Sequence, residues 1–462
     1  MGGLSYGLHM PFNINFSNPA SYTDLLLTTF ELGANATFLE LKNTVGKGQA
    51  DDVSFGYFSL GFPVKMKKWG MSLGLLPYSN VGYTITQEGV NEVGDKRNLL
   101  FTGEGGLNQF YLGNAVALGK GYTAGVNASF MFGTINQQRR LYYPDGGYRN
   151  ARITEENVVN DFYFTFGLQK TFDSLVLAKS DSLVMFEKDE ARLNDSIAVL
   201  NKAILDLRKD SVSLNPSLVI EGVDSQKVGV RRDKMMGIIT SLAEQQRRLD
   251  SLSNLVVKRK QRSGWSLTLG LTGAPSMHLR GKRSSLVESY GLTPVGNEYV
   301  YDTILNEQSR SGRLVMPLSL GFGFAMKKGS KWLAGADFSM QNWQDYSFFG
   351  QSDSLANSWR VAVGGQFVPN DRSIKSYLAL INYRLGFHYE QTYLNLNGSQ
   401  LSQIGVSMGL GIPVKRSASM IHVSVEAGKR GTTSNKLVEE NYIKCSLGFT
   451  LNDRWFVKTK ID

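Results

Sequence analysis

The sequence lacks most of the residues on which soluble enzymes and disulfide-bonded domains depend. A single cysteine, Cys445, excludes an internal disulfide framework and any zinc cluster built on cysteine. The four histidines are dispersed, and neither the G-x-S-x-G nor the H-E-x-x-H pattern occurs. No run of about 18 apolar residues is present, so no transmembrane helix is predicted. We therefore expect no catalytic residue, no metal ligand, no cofactor and no enzymatic activity.

The net charge of +10 is of the kind found in proteins that bind nucleic acid or an anionic membrane surface. The lysines and arginines are dispersed, however, and many lie at expected turns, as at 65–68 and at Lys327 and Lys328. We therefore expect no nucleic-acid partner. The residues after Met1 are neither basic nor followed by an apolar core, so they do not resemble a signal peptide. We expect that an export signal has been removed ahead of them.

A period of two in hydrophobicity recurs along nearly the whole chain. Between residues 442 and 451, one face is apolar and the other is small or polar: Ile443, Cys445, Leu447, Phe449 and Leu451 against Tyr442, Lys444, Ser446, Gly448 and Thr450. Because successive strand side chains point to opposite faces, each strand meets an apolar medium on one side only. Two architectures fit this pattern. In a water-soluble sandwich the polar face is outside, whereas in an outer-membrane barrel the apolar face meets lipid.

Three properties of the strand-like segments favour the barrel. There are 14 of them, an even number as in bacterial single-chain barrels, and several have ten or more residues, close to the roughly 9–11 that cross a bilayer. Short connections after strands 2, 4, 8 and 12 contrast with longer, polar ones after strands 1, 3, 5, 7, 9 and 13; the short side would be periplasmic. The segments are 24–41, 53–68, 70–84, 106–119, 121–135, 158–172, 264–281, 312–327, 331–343, 357–368, 380–397, 401–415, 420–432 and 440–452.

One stretch, residues 173–262, has a helical period instead. Apolar residues follow heptad steps in two runs separated by Asn215-Pro216-Ser217: Leu193, Ile197, Leu200, Ile204 and Leu207, then Ile238, Leu242, Leu249, Leu252 and Val256. This pattern predicts an antiparallel α-helical coiled-coil hairpin. The alternative is a disordered charged linker. Because the stretch follows an even-numbered strand, we place it on the periplasmic side.

These observations predict an all-β transmembrane barrel of 14 antiparallel strands, monomeric and located in the cell outer membrane. We expect five regions: an N-terminal segment (1–23), strands 1–6 (24–172), the hairpin insertion (173–262), strands 7–14 (263–452) and a C-terminal tail (453–462).

Some polar side chains fall on the inward face of the predicted strands. Five of them are candidates for binding a ligand in the lumen: Arg360, Arg384, His388, Glu390 and Lys444. The alternative is that opposite charges on neighbouring strands pair and rigidify the wall. Pro77, followed by Tyr78, interrupts strand 3, and because proline cannot donate to a strand ladder it marks a bulge, a kink or a strand end. An opening in the wall at Pro77 would let an apolar molecule leave sideways.

Three stretches resemble the FadL-type outer-membrane transport proteins, particularly forms seen in Bacteroidetes: Asn18-Pro19-Ala20, residues 105–113 and residues 428–456. The resemblance implies that the N-terminal segment folds into the lumen as a hatch, with Asn18, Pro19 and Ala20 as its motif. It also implies uptake of hydrophobic molecules such as fatty acids, with a lateral gate at Pro77 and Tyr78 in the third strand. The hatch is short for this family, and the hairpin insertion is not part of its usual pattern.

Two functional hypotheses follow. In the first, the protein transports a hydrophobic small molecule, such as a fatty acid, which enters the barrel and leaves laterally into membrane lipid near Pro77. In the second, the barrel is a plug or scaffold of an outer-membrane protein secretion (type 9) translocon, a role that a barrel resembling this family has in Bacteroidetes. Its protein partner would bind residues 173–262.

Overall fold

The computed structural model describes residues 1–44, 46–145, 147–175, 181–212, 233, 236–248, 265–293, 295, 297–352, 354–374 and 376–455. The chain forms two compact units: residues 1–172 together with 267–462, and residues 173–266.

The first unit is almost entirely β-sheet. Its strands are β1 (Thr28–Lys42), β2 (Lys47–Lys65), β3 (Trp69–Val90), β4 (Lys96–Gly119), β5 (Tyr122–Tyr142), β6 (Asn150–Leu175), β7 (Trp265–Ala274), β8 (Met277–Leu292), β9 (Glu298–Met316), β10 (Ser319–Lys328), β11 (Trp332–Gln341), β12 (Ser347–Phe348), β13 (Ser358–Phe367), β14 (Asn382–Leu396), β15 (Ser399–Pro413), β16 (Met420–Gly431) and β17 (Glu439–Asp453). Short 3-10 helices cover Pro19–Asp24, Trp343–Asp345, Leu378–Leu380 and Ser434–Lys436.

These strands form a closed antiparallel barrel. Pro275 separates β7 from β8 within one wall strand, Pro317 separates β9 from β10 in the next, and β12 has only two residues, so the wall has 14 strands as predicted. The first and last strands close it, pairing from Thr28 opposite Asp453 to Lys42 opposite Glu439. We call the end with the start of β1 and the end of β17 the lower rim, and the opposite end the upper rim.

The side chains confirm which face of each strand is apolar. On β6, Phe162, Phe164 and Phe166 are exposed on the outer surface, whereas Tyr163 between them is buried in the interior. On β17, Leu447 and Phe449 point outward and Thr450 points inward. The apolar face is therefore the outer surface of the barrel, the arrangement of a barrel surrounded by lipid rather than of a soluble sandwich.

The lengths of the upper-rim connections differ from the prediction. The short turns of the lower rim are confirmed at 66–68, 120–121 and 329–331, whereas the connection after strand 12 is longer than predicted and covers 414–419. Most of the expected long loops are strand. Strands β3 to β6 have 21 to 26 residues, and only five to seven residues connect them at the upper rim. Apolar and polar residues do not alternate regularly in these extensions, as at Leu99, Leu100 and Phe101, which are consecutive and half-buried, so the extensions lack the pattern by which strands are recognised. Their backbone groups pair across strands instead of forming loops.

The second unit contains helix α1 (Asp181–Val212) and a helical stretch at 236–248. The heptad residues Leu193, Ile197 and Leu200, and Ile238 and Leu242, are half-buried, whereas most of their helical neighbours are exposed. This pattern fits the predicted seam, but the antiparallel pairing stays a prediction. The breaker at 215–217, Leu249, Leu252, Val256 and tail residues 456–462 lie outside the described residues. None of the described helices is long and apolar enough to cross a membrane.

Residues 1–24 lie inside the barrel, where they bind strands on several sides. The amides of Ser5 and Tyr6 donate to Asp337 Oδ2 on β11, and the amide of Gly2 donates to Ser407 Oγ on β15. The Tyr22 hydroxyl, whose pKa is raised well above its usual value by burial, donates to Asn127 Oδ1 on β5. Buried polar groups of the segment are thus paired with the wall, as burial requires.

The segment approaches the wall most closely where the wall has glycine. A Cβ at Gly125 on β5 would lie 2.6 Å from the Pro19 carbonyl carbon, and one at Gly364 on β13 would lie 2.7 Å from the Met1 carbonyl oxygen. Closer overlaps with the segment's backbone occur on three further strands, at Gly70, Gly270 and Gly386, and a Cβ at Gly323 would overlap the Asp337 carboxylate and lie 3.0 Å from the Gly7 nitrogen. We call these six residues the glycine belt. They let backbone pack directly on backbone around the lumen.

The glycine belt gives a first prediction. Gly70→Val should displace the segment near Tyr22, because its Cβ would overlap the Tyr22 carbonyl. The variant should expose residues 1–24 to added protease and raise ion conductance in planar bilayers. Gly82→Val, on the same strand with no atom within 4 Å of its Cβ, is the matched control and should leave both unchanged. If Gly70→Val matches the wild type in both assays, the contact does not hold the segment.

Candidate functional site

The lumen above the N-terminal segment contains a cavity of about 270 Å³. Its walls come from that segment and from strands β3, β4, β5, β6, β7, β10 and β11. The lining combines five aromatic rings with eight polar side chains. The rings are those of Tyr6, Phe16, Tyr78, Tyr111 and Tyr163, and the polar side chains are those of Ser17, Gln109, Asn127, Ser129, Thr165, Thr272, Ser319 and Gln341. Tyr78 and Tyr163 meet edge to face with ring centroids 6.0 Å apart. The rings present π-faces and ring edges to a guest.

A buried apolar cluster lies on the same side of the lumen. It contains Leu107, Met131, Val159, Tyr163, Ala274, Leu279, Leu314 and Met316, and Tyr78 and Tyr346 pack against it. Tyr163, Ala274 and Tyr78 also line the cavity, so the two are continuous. Leu279 and Leu314 are opposite one another on β8 and β9, nearer the upper rim than Ala274. The cluster therefore extends the packed apolar interior from the cavity toward the upper rim.

The wall beside the cavity is irregular at the position predicted from Pro77. In the pairing of β3 with β4, Pro77 is opposite Asn108 and Ser79 is opposite Leu107, so Tyr78 is an extra residue on β3. This is a β-bulge. Leu76 and Tyr78 both line the cavity. The bulge thus adds an aromatic side chain to the cavity wall.

The seam between β2 and β3 is paired only near the lower rim. Their register runs from Lys65 opposite Trp69 to Phe58 opposite Leu75 and ends there. Above this level β2 stays paired with β1, and β3 stays paired with β4 as far as Val90. Within residues 47–57 and 76–90, all described, the two strands share no ladder. The seam begins to open one residue from the cavity-lining Leu76.

The three predicted hatch residues are buried near the C-terminal end of the N-terminal segment. Asn18 is fully buried and accepts the Ala20 amide at 3.2 Å, which caps the 3-10 helix that starts at Pro19. Its Nδ2 donates to the Tyr6 carbonyl at 2.8 Å and to the Leu271 carbonyl of β7 at 3.3 Å. Asn18 therefore joins two parts of the segment to each other and to the wall.

Arg384 belongs to a hydrogen-bonded chain that reaches the segment. Its Nη1 lies 3.0 Å from His422 Nδ1, and His422 Nε2 lies 3.1 Å from Thr450 Oγ1. Because Arg384 is only a donor, His422 accepts at Nδ1 and donates at Nε2. Thr450 then donates to Glu31 Oε1, which also accepts the Ile14 amide and Asn13 Nδ2. All members of the chain are satisfied, and its end holds Asn13 and Ile14.

The other four predicted lumen residues lie on strands β13, β14 and β17. Arg360 donates to the Gly2 carbonyl at 3.0 Å and faces Glu390 across the ladder, with its Nε 4.0 Å from Glu390 Oε2. His388 is 2% exposed, and its Nδ1 has no hydrogen-bond partner among the described residues. Lys444 is opposite Glu426 on β16. Among the described residues, none of the five candidates lines the aromatic cavity.

Sequence reasoning missed Glu31, Asn127 and Gln169, which bind the segment most directly. Gln169 Nε2 donates to the carbonyls of both Tyr6 and Leu8. Their signal is present in the sequence, since each is a polar residue at an inward position of a strand. The alternation along a strand shows which residues face inward, but it does not show which inward polar side chain contacts the N-terminal segment. The described residues contain no group of three or more histidine, cysteine or acidic residues placed to hold a metal ion.

Solved structures share this fold at low sequence identity. The Pseudomonas putida toluene transporter TodX superposes with a TM-score of 0.54 at 13% identity, covering 98% of this chain and 96% of that one. The Ralstonia pickettii toluene transporter TbuX gives 0.51 at 10% identity, with the same coverage of both chains. A Pseudomonas aeruginosa FadL homologue gives 0.52 at 10% identity, covering 97% and 96%. They confirm the FadL-like barrel fold, while the Bacteroidetes form stays a prediction.

The curated proteins contain no significant match to this chain. A family model described as BamG matches residues 1–195 and 223–462, that is, both halves of the barrel and part of the insertion. The chain therefore belongs to the BamG family.

Proposed function

We propose that the protein is an outer-membrane channel for a small apolar molecule, which occupies the aromatic cavity and leaves sideways between β2 and β3. The observation that carries this proposal is the position of the cavity. It lies beside the Tyr78 bulge and at the level where the ladder between β2 and β3 ends. The lipid-facing outer surface of the wall supports a membrane location. Transport of toluene by TodX and TbuX, which share the fold, agrees with a hydrophobic substrate.

The size of the cavity favours a compact guest over a long acyl chain. An apolar protein cavity of about 150 Å³ holds benzene, and pockets for drug-sized ligands begin at about 300 Å³. At about 270 Å³, this cavity accommodates a single substituted ring. A fatty acid would fit only in part and would have to extend into the seam. We therefore propose a monocyclic or similarly small hydrocarbon as the substrate class.

The expected affinity suits a channel. Burying about 200 Å² of apolar surface at about 25 cal/mol/Å² contributes roughly 5 kcal/mol before the cost of association. An association cost of at least about 4 kcal/mol leaves about 1 kcal/mol or less, so the binding is much weaker than millimolar. Such binding lets the molecule leave quickly into hydrocarbon, where it loses little of this stabilisation.

The N-terminal segment supports a lateral exit rather than an axial one. It fills the lumen below the cavity, with Asn18, Ala20 and Tyr22 at most 1% exposed. An apolar molecule that moved downward would have to separate the buried hydrogen bonds at Asp337 and Glu31, each of which is costly to leave unmade. Sideways movement past Tyr78 separates no ladder pair of β2 and β3, because that ladder ends at Phe58 opposite Leu75. We accordingly propose Pro77 and Tyr78 as the lateral gate, and Asn18, Pro19 and Ala20 as the fixed part of the hatch.

The five candidate lumen residues, Arg360, Arg384, His388, Glu390 and Lys444, would contact the ligand only if it carried a polar group. Arg360 and Arg384 already bind Gly2 and Gln366. A ligand would reach them only by replacing those contacts. We propose that the main role of Arg360 and Arg384 is to hold the N-terminal segment in place.

A second candidate function is a scaffold, favoured by the compact unit at 173–266. A channel does not require a unit of this size. The heptad residues of the unit are half-buried, as they are in helices that pair with one another. In this proposal the barrel is a membrane anchor, and the insertion binds a protein partner such as a subunit of a secretion translocon.

Filling the cavity tests the channel. Thr165→Trp adds a bulky ring to the lining and should reduce toluene uptake at least about tenfold in a bacterial host without a hydrocarbon channel of its own. Phe164→Trp changes the adjacent, lipid-facing residue of β6 and should leave uptake unchanged. Equal uptake by the two folded variants would rule out passage through this cavity.

Removing the bulge tests the exit. Leu76 and Ser79 both pair with inward residues of β4, so deletion of Tyr78 restores regular alternation along β3. The shortened protein should keep the heat-modifiable gel migration of a folded barrel but lose most toluene uptake. Tyr78→Phe, which keeps the length of the strand, should retain uptake. Normal uptake by the deletion variant would place the exit elsewhere.

Replacing residues 176–264 by a short Gly-Ser linker separates the two functions. The barrel should still fold, since β6 ends at Leu175 and β7 begins at Trp265. If the scaffold proposal is right, affinity purification from the native membrane should lose a stoichiometric partner seen with the full chain. Retention of every partner by the shortened protein would contradict the scaffold proposal, and retention of uptake would not bear on it.

A further inference from the structure

Two glycines face each other on the luminal side of β8 and β9, near the middle of the two wall strands and above the cavity. Gly281 and Gly312 are directly opposite in the register of these strands. Neither has a positive φ, so no backbone requirement explains the absence of a side chain. Together they leave a bare stretch of backbone in the wall, directly above the apolar pair Leu279 and Leu314.

An aromatic ring of the chain itself occupies this notch. A Cβ at Gly312 would overlap Cδ1 of Phe349, and one at Gly281 would lie 3.4 Å from its Cζ. Phe349 follows the two-residue strand β12 in the upper-rim connection, and its amide donates to the Arg313 carbonyl at 3.0 Å. The Phe349 ring thus occupies the space that side chains at Gly281 and Gly312 would take.

Two further side chains complete a cage around the ring. The Arg283 guanidinium is 4.6 Å from the centroid of Phe349 and is oriented by its bond to Asn157 Oδ1 at 3.0 Å. Phe348 meets Phe349 edge to face at 5.0 Å and belongs to the border of the buried apolar cluster. Backbone, guanidinium and ring edge are the partners that an aromatic π-face prefers.

The backbone at Phe349 is in a conformation that a phenylalanine seldom adopts. Its φ is +52°, in the left-handed region that favours glycine or asparagine. Because this backbone conformation is strained, the Phe349 ring is displaced from the notch more readily than the ring of a residue in a regular strand would be.

We propose that the notch between Gly281 and Gly312 is a binding site for a monocyclic aromatic molecule, and that Phe349 occupies it until such a molecule displaces the ring. The inference rests on the proposed channel function and names its point of entry. From the notch, the buried apolar cluster continues through Leu279 and Leu314 to the cavity lined by Tyr78 and Tyr163. An aromatic guest would therefore pass from one aromatic site to the next.

The test uses purified full-length protein and benzene, with thermal unfolding as the readout. Phe349→Gly removes the ring and suits the positive φ, so this variant should fold, and saturating benzene should raise its Tm by about 2 °C or more. The wild type, with the notch filled, should shift less. Phe349→Gly combined with Gly312→Leu refills the notch and should lose the shift. Cyclohexane, which has no π-face for Arg283, should stabilise Phe349→Gly less than benzene does.

Equal benzene shifts in all three proteins would overturn the site, since they would indicate binding elsewhere or to the detergent. No shift in Phe349→Gly would overturn it as well, and Phe349→Asn, which also suits the positive φ, repeats the test if the glycine variant does not fold. Toluene uptake separates this outcome from the channel proposal. Normal uptake by the double variant would contradict the notch as an entry site while leaving the channel intact. A benzene shift without uptake in the wild type would retain the binding site and reject the channel.

Discussion

The direct packing of the N-terminal segment's backbone on wall glycines is the constraint on which the rest of the structure depends. Because Gly125, Gly364 and the other members of the belt carry no Cβ, residues 1–24 fit within a lumen that would otherwise be too narrow for them. That fit brings the segment's amides and carbonyls within reach of inward polar side chains such as Asp337 and Gln169. The closed lower lumen follows from these contacts. The small aromatic cavity above it is the space that the segment leaves open, and the wall beside that cavity is the part with an incomplete ladder.

The strands and their faces were predictable because a barrel wall separates two media, and each strand must therefore alternate. Phe162, Phe164 and Phe166 face outward as the sequence indicates. Alternation weakens where a strand leaves the bilayer, since water then meets both faces. The upper parts of β3 to β6 consequently looked like loops although their backbones are paired. The number of wall strands survived this error, because it depends on the lipid-facing parts alone.

The site was only partly predictable. Pro77 marked the bulge because proline removes a ladder donor, a local property that sequence reveals. The cavity could not be inferred, since it depends on residues brought together from seven strands and the N-terminal segment. Arg384 was recognisable as inward but not as one end of a chain through His422 to Glu31, because the register of distant strands sets that chain. The notch at Gly312 was likewise hidden, since a glycine in a strand does not reveal which ring lies over it.

The glycine belt holds residues 1–24 as a fixed part of the barrel interior, and amide hydrogen exchange of the wild-type protein in lipid nanodiscs measures this directly. We predict that the amides of Ser5, Tyr6, Ile14 and Ala20, all of which donate hydrogen bonds, exchange as slowly as those in the paired middle of β4 and β5. Exchange as fast as that of the exposed turn at 91–95 would mean that the segment leaves the lumen freely and that the belt does not hold it.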